Sequence, residues 1–286
     1  AAITATLDAN AATKTASLIS TSTATGVLTL NVISTTIAGQ DFQITGALTV
    51  GASTDTDDTM VLNATGGDLI LAAAVVRSNT SNTIAMGIAA GRNITATGNV
   101  NIDASFDGIS DGVGILNVGH ASTIDMKQAV GATHALATVL VIDNKLAIFD
   151  KDVSATTIDA FGKLTASGNL TGNVKLFDQA FTSSVATTNK TITGTISERS
   201  AALSVANFVN FADAAVVKTT ITGTVVIDES NIGTTAKAGS AVFNSNATIV
   251  DLNMVGGNVT TEISTIELKG NLISATGVTF DDNTGT

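Results

Sequence analysis

Proline, cysteine, tryptophan and tyrosine are absent from all 286 residues. At ordinary usage of about 5 %, proline alone would appear roughly fourteen times, so its absence is a bias. Each proline removes a backbone donor and fixes φ. A chain whose strands are paired on both sides has few places for one. Without cysteine there is no disulfide and no thiolate metal site. Aromatics reach only 3 %, all of them phenylalanine. Charged residues make up 13 %, about half the usual ~25 %. The few charges are lopsided, with a net charge of -11 and a pI near 4.3. This excludes the basic face that nucleic-acid binding requires. No run of about 18 apolar residues could span a bilayer as a helix. The most apolar patch, Ala132 to Ile142, is short and contains His134 and two threonines. No charged n-region followed by an apolar h-region opens the sequence, so a signal peptide is not expected.

What remains is threonine, alanine, valine, isoleucine, serine, asparagine and glycine. Thr, Val and Ile suit a pleated, half-buried surface, and Asn and Gly suit corners. The stretch Asn93-Ile-Thr-Ala-Thr-Gly-Asn-Val100 recurs as Lys163-Leu-Thr-Ala-Ser-Gly-Asn-Leu170. Both copies alternate apolar with small polar residues, break at a Gly-Asn step and resume alternating. This reads as strand, tight corner, strand. Units of the same grammar begin at Gly26, Gly46, Gly67, Gly98, Gly168, Gly172, Gly223, Gly257 and Gly270. Thr-Ile pairs recur along the chain, several of them one or two units of about 17 to 23 residues apart, a spacing suited to one coil of a β-solenoid.

The expected fold is therefore all-β. It is a parallel β-solenoid (β-helix) of irregular coils of about 20 residues, forming a single domain over residues 1–286. One coil cannot bury its own apolar face; stacked coils about 4.8 Å apart align Val, Ile and Leu into ladders. Outward Thr and Asn are expected to hydrogen-bond between coils. Tandem antiparallel β-sandwiches are the alternative. Two segments, 126–149 and 197–218, fit the coil grammar poorly. Each could hold a short helix, a longer coil, an insertion or a domain boundary.

Candidate chemistry is sparse. Asp55, Asp57 and Asp58 form one acidic cluster, and Asp281, Asp282 and Asn283 another. Alternating Asp and Asn can contribute to a calcium site, which needs six to eight oxygens. Ca2+ is thus the one cofactor either cluster suggests, with a solvated acidic turn as the alternative. Asp143, Asp150 and Asp152 flank Leu146 to Phe149 and read as hairpin ends. His120 and His134 lack metal-ligand spacing. No nucleophile elbow or phosphate-binding loop is present, and Gly112-Val-Gly114 stands without the rest of a dinucleotide fingerprint. Sugar-cleaving solenoids need clustered carboxylates beside aromatic platforms, so an enzyme is not expected. Asn-x-Ser/Thr triplets occur at Asn63, Asn79, Asn93, Asn169, Asn189, Asn246 and Asn258. In so Asn- and Thr-rich a chain, most arise by chance.

The Gly-Asn-Leu/Val-Thr units, the Thr-Ile pairs, Ser264-Thr-Ile-Glu-Leu-Lys-Gly-Asn-Leu272 and Phe243-Asn-Ser-Asn-Ala-Thr-Ile249 carry a resemblance. They resemble the passenger regions of rickettsial-type autotransporters and repetitive surface-layer proteins. That resemblance implies a secreted β-solenoid at the cell surface, used for coats, adhesion or self-assembly. The expected function is an extracellular structural protein whose partners are copies of itself, joined into a surface layer or filament. An adhesin is the first alternative, its glycan or other ligand meeting loops such as Thr54 to Thr59 or Asp103 to Gly114. A polysaccharide-degrading β-helix enzyme is the second.

Overall fold

The computed structural model describes residues 2–8, 13–15, 18–20, 26–33, 41–51, 57–97, 100–119, 123–142, 146–177, 181–185, 188–198, 207–212, 218–233, 238–255, 264–274 and 277–281. Among these the only regular element is the β-strand. The chain divides into two compact units, Ala1–Thr156 and Thr157–Thr286. Each is a parallel β-solenoid.

In the first unit each coil lays down three strands, one per face. The first face stacks Ala2–Asp8, Val27–Ile33, Thr59–Ala64, Thr83–Ile88 and Ser105–Gly108. The second stacks Thr13–Thr15, Asp41–Ile44, Asp68–Leu71, Asn93–Ala96, Val113–Val118 and Leu136–Val141. The third stacks Leu18–Ser20, Leu48–Val50, Val75–Arg77, Val100–Ile102, Thr123–Met126 and Leu146–Phe149. Every pairing is parallel, which overturns the sandwich alternative. It also corrects the reading of Asp150 as a hairpin end, because Leu146–Phe149 lies parallel to Thr123–Met126. The segment 126–149 is a coil of strands and contains no helix among its described residues.

The second unit uses the same principle with merged corners. One column runs through Leu170, Lys190–Thr193, Thr219–Ile221, Ser240–Phe243 and Thr265–Leu268. A second runs from Val174 through Ile196–Glu198 and the leading halves of Val225–Ile232 and Ala247–Val255 to Leu272–Ile273. The third runs through Lys163–Ala166, Phe181–Val185, Asn207–Ala212 and the trailing halves of those two long strands to Gly277–Asp281. In the segment 197–218, Asn207–Ala212 is a strand. Residues 199–206 and 213–217 lie outside the described residues.

The alternation read from the sequence sets the core. Thr59–Ala64 buries Met60, Leu62 and Ala64 and turns Thr59, Val61 and Asn63 outward. Inward positions of successive coils coincide, so Leu30, Leu62, Met86 and Phe106 form one buried column. Burying each such side chain contributes roughly 1.5–3 kcal/mol. Outward polar residues also pair between coils. Asn63 Nδ2 donates to Asn31 Oδ1 (3.0 Å), and Asn117 Nδ2 to Thr95 Oγ1 (3.1 Å). In the second unit, Phe161 and Phe177 stack with centroids 3.8 Å apart.

Coils are longer and more variable than about twenty residues. Val27 faces Thr59 and Thr59 faces Thr83, so one coil takes 32 residues and the next 24. Leu164 faces Phe181, only 17 residues on. The Thr-Ile pairs misled because they occupy different faces. Thr83-Ile84 is on the first face and Thr123-Ile124 on the third. Thr191-Ile192 and Thr220-Ile221, by contrast, are stacked equivalents.

One glycine bend has a steric cause. In the second unit Gly172, Gly194 and Gly223 stack at one bend, with φ of +131° at Gly172 and +139° at Gly194. A Cβ on Gly194 would lie 2.2 Å from the Gly172 carbonyl oxygen, and one on Gly223 2.2 Å from that of Gly194. Gly194→Ala is expected to lower stability by at least ~1–3 kcal/mol, from left-handed backbone strain. The exposed neighbour substitution Thr193→Ala should stay within about 0.5 kcal/mol. Urea unfolding of both variants measures the difference.

Candidate functional site

Polar side chains concentrate at the coil corners, where a turning chain leaves amide groups that the strand ladders do not reach. The best-defined corner precedes the first face of the first unit. Gly26 N donates to Asp58 Oδ1 (3.2 Å), Asp58 N to Asn82 Oδ1 (3.0 Å), and Asn82 Nδ2 to Val50 O (3.3 Å). Three coils are thus tied by two side chains, 3 % and 0 % exposed. Leaving one such buried amide without its acceptor costs about 1–3 kcal/mol. The second oxygen of Asp58 is buried without a hydrogen-bond partner.

This placement decides what the sequence-predicted acidic residues do. Asp58 turns into the corner as a backbone acceptor. Its neighbour Asp57 is exposed and takes a left-handed backbone with φ +69°. Asp55 lies outside the described residues, as do Asp282 and Asn283. Asp281 ends the strand Gly277–Asp281. Among the described residues no three His, Asp or Glu side chains gather as a metal group.

A charged rail runs along the end of the third face. Ile102 faces Met126 and Met126 faces Phe149, so the residues that follow, Asp103, Lys127 and Asp150, succeed one another coil by coil. Arg77 Nη2 pairs with Asp103 Oδ1 at 2.9 Å, and Gln128 Nε2 donates to the same oxygen at 2.8 Å. Arg77 also donates to the carbonyls of Thr80 and Asn82, both at 3.1 Å, which fixes the next turn. Lys127 Nζ bridges Asp125 and Asp150, 3.0 Å from the latter. The Asp125 carboxylate, helped by Asp150, holds the Lys127 ammonium above the ordinary lysine range, against the opposing effect of partial burial.

A third group surrounds His134. Asp107 Oδ1 accepts from Thr133 N (2.9 Å) and His134 N (3.3 Å). Asp111 Oδ1 accepts from Ala135 N (3.1 Å) and faces His134 Nδ1 (3.3 Å). Asp107 and Asp111 therefore hold the following coil in place. His120 and Asp143 lie outside the described residues. The loop expected over Asp103 to Gly114 is shorter than that range, because Ser105–Gly108 and Val113–Val118 are strands. Only Ile109 to Gly112 projects, with Ile109 53 % exposed.

In the second unit the same work falls mainly to asparagine. Asn169 Oδ1 accepts from Thr191 N (2.9 Å), Asn173 Oδ1 from Thr195 N (3.2 Å) and Oγ1 (3.0 Å), Asn189 Oδ1 from Lys218 N (2.9 Å), and Asn246 Oδ1 from Asn271 N (3.1 Å). Lys218 Nζ reaches Glu267 Oε2 at 3.2 Å, across the strand Ser240–Phe243 that lies between them in the same column. All four residues of that strand are buried. Lys218, with Lys269, holds the Glu267 carboxyl below its ordinary range.

Asn82, Arg77, Asp103 and Lys127 were not singled out from the sequence. Each has a partner a coil away that no local spacing marks. These arrangements share one chemical capacity, which is to clamp coil to coil. No family model matches the chain, and no curated protein or solved structure matches it.

The Lys127 rail makes a pH-dependent contribution. Its folded-state pKa is raised, so the stabilisation is fully present below the ordinary lysine value of 10.5 and is lost as pH rises through the raised value. The unfolding midpoint of Lys127→Met should lie below that of the unaltered chain by a constant margin from neutral pH to about that value. The margin should then shrink at more alkaline pH, as denaturant titration across the range would record.

Proposed function

We propose that this chain is an extracellular structural protein that assembles with copies of itself into a surface layer or filament. The observation that carries this reading is the parallel register itself: coil stacks on coil through strand ladders, and polar side chains are spent on coil-to-coil hydrogen bonds. Strand addition is a general mode of association, and the few charges leave little to oppose it.

The commitment of the corner side chains supports a structural role over a catalytic one. Asp58, Asn82, Asp107, Asp111, Asn173 and Asn246 each accept a backbone amide of a neighbouring coil. A resemblance to autotransporter passengers and surface-layer proteins points the same way, towards the cell surface.

Sedimentation velocity and electron microscopy over a range of concentrations test the reading. Growth of large species with concentration is expected, and monodisperse monomer at every concentration would overturn it. The runner-up is an adhesin-like module for a surface glycan, favoured by the projecting loop with exposed Ile109 and a 78 % exposed Asp111 side chain. On that reading, replacing residues 109–112 abolishes glycan retention on an array and leaves assembly intact.

A further inference from the structure

We propose that the folded chain is modified at Asn79, by transfer of an oligosaccharide to its side-chain amide. The inference goes beyond the assembly reading and shares with it only an extracellular setting.

Seven Asn-x-Ser/Thr triplets occur in the chain, and their placement separates one from the rest. Acceptors of this pattern belong on surface loops, where a transferase can surround the triplet. In four of the seven the middle residue is a core side chain: Ala64, Ile94, Leu170 and Ala247 are 0 %, 0 %, 1 % and 1 % exposed. Their asparagines are also committed. Asn63 and Asn93 spend Nδ2 on Asn31 and Asp68, and Asn169 and Asn246 hold backbone amides of the following coil. Asn189 likewise holds Lys218 N, and its neighbour opens the strand Lys190–Thr193. The triplet at Asn258 lies outside the described residues.

Asn79-Thr80-Ser81 differs in each respect. It lies on the turn between Val75–Arg77 and Thr83–Ile88, with Thr80 and Ser81 exposed. Asn79 Oδ1 accepts from Ser81 N at 3.0 Å, which closes an Asx-turn. The Asn79 carbonyl accepts from Asn82 N (3.0 Å), and Arg77 Nη1 holds the carbonyls of Thr80 and Asn82. The turn therefore has a fixed shape. Nδ2, on the other side of the same planar amide, has no partner among the described residues.

That arrangement suits the chemistry. An amide nitrogen is a weak nucleophile because its lone pair is shared with the carbonyl. A donor on Oδ1 draws density to the oxygen and eases loss of an Nδ2 proton. The co-substrate is an oligosaccharide carried on a lipid diphosphate. Nδ2 bonds to the anomeric carbon as that carbon's bond to the diphosphate oxygen breaks. A base of the transferase takes the Nδ2 proton, and the lipid diphosphate leaves.

The test incubates the folded chain with this donor and an oligosaccharyltransferase that modifies synthetic peptides of the triplets. Peptide mass spectrometry then reads the sites. Asn79 should gain the oligosaccharide, while Asn63, Asn93, Asn169, Asn189 and Asn246 stay unmodified in the folded chain. Ser81→Ala keeps the backbone donor and removes the hydroxyl, and should abolish the gain. Ser81→Thr should retain it. Ser81 is exposed, so both variants are expected to fold, which circular dichroism melts verify; Asn79→Gln replaces Ser81→Ala if that variant does not. An unmodified Asn79 would overturn the inference. So would transfer to any of the other five as readily, or transfer that persists in Ser81→Ala. Each of these results leaves the assembly reading standing, and a chain that stays monomeric leaves this one standing.

Discussion

The structure depends on parallel coil-on-coil register. Once consecutive coils pair at about 4.8 Å, every residue has a fixed neighbour above and below. Inside, that neighbour is mostly apolar. On the faces it can be any small residue. At the corners the backbones come so close that a side chain obstructs them, as the 2.2 Å approach of a Gly194 Cβ to the Gly172 carbonyl illustrates. The composition follows from these demands. Alternating Thr, Val and Ile fill the faces, and glycine with a short amide marks the bends. Proline is excluded wherever a strand donates on one edge and accepts on the other.

The same register explains how a chain with so few charges places them. A charge on a stacked face meets its counterpart in the next coil, and like charges in register repel. The rail answers this by alternating sign: Asp103, Lys127 and Asp150 succeed one another, with Arg77 and Asp125 closing the remaining valences. Corner carboxylates such as Asp107 and Asp111 face backbone amides instead of cations, and in the second unit neutral asparagine takes over that role. The excess of acidic over basic residues thus has a partly structural origin. A carboxylate accepts hydrogen bonds from a turning backbone, whereas lysine has no acceptor to offer.

Much of this was legible in the sequence. Asn93–Ala96 and Lys163–Ala166 are strands, as their alternation requires, and the second is followed by a bend at Gly168; Gly98 and Asn99 lie outside the described residues. The parallel solenoid follows from repetition of that unit. Coil length was not legible, because Thr-Ile pairs sit on whichever face has an inward Ile next to an outward Thr, and they count strands instead of coils. Corner lengths also vary freely, so Val27 to Thr59 takes 32 residues where Thr59 to Thr83 takes 24. The polar contacts were hidden for a different reason. Asn82 meets Asp58 across 24 positions, and Gln128 meets Asp103 across 25. Such pairs become visible only when register is known. Asp57 and Asp58, adjacent in sequence, part at the corner: Asp58 is buried and Asp57 is exposed.

Register also limits what the flanks of such a fold can do. Along the flanks, outward side chains already have partners in the coils above and below, as Asn31 with Asn63 and Thr95 with Asn117 do. A ligand approaching there competes with contacts already made. A strand that stacks in register, by contrast, gains ladder hydrogen bonds and covers an apolar column in one step. That difference underlies the proposed reading of this chain as a building element.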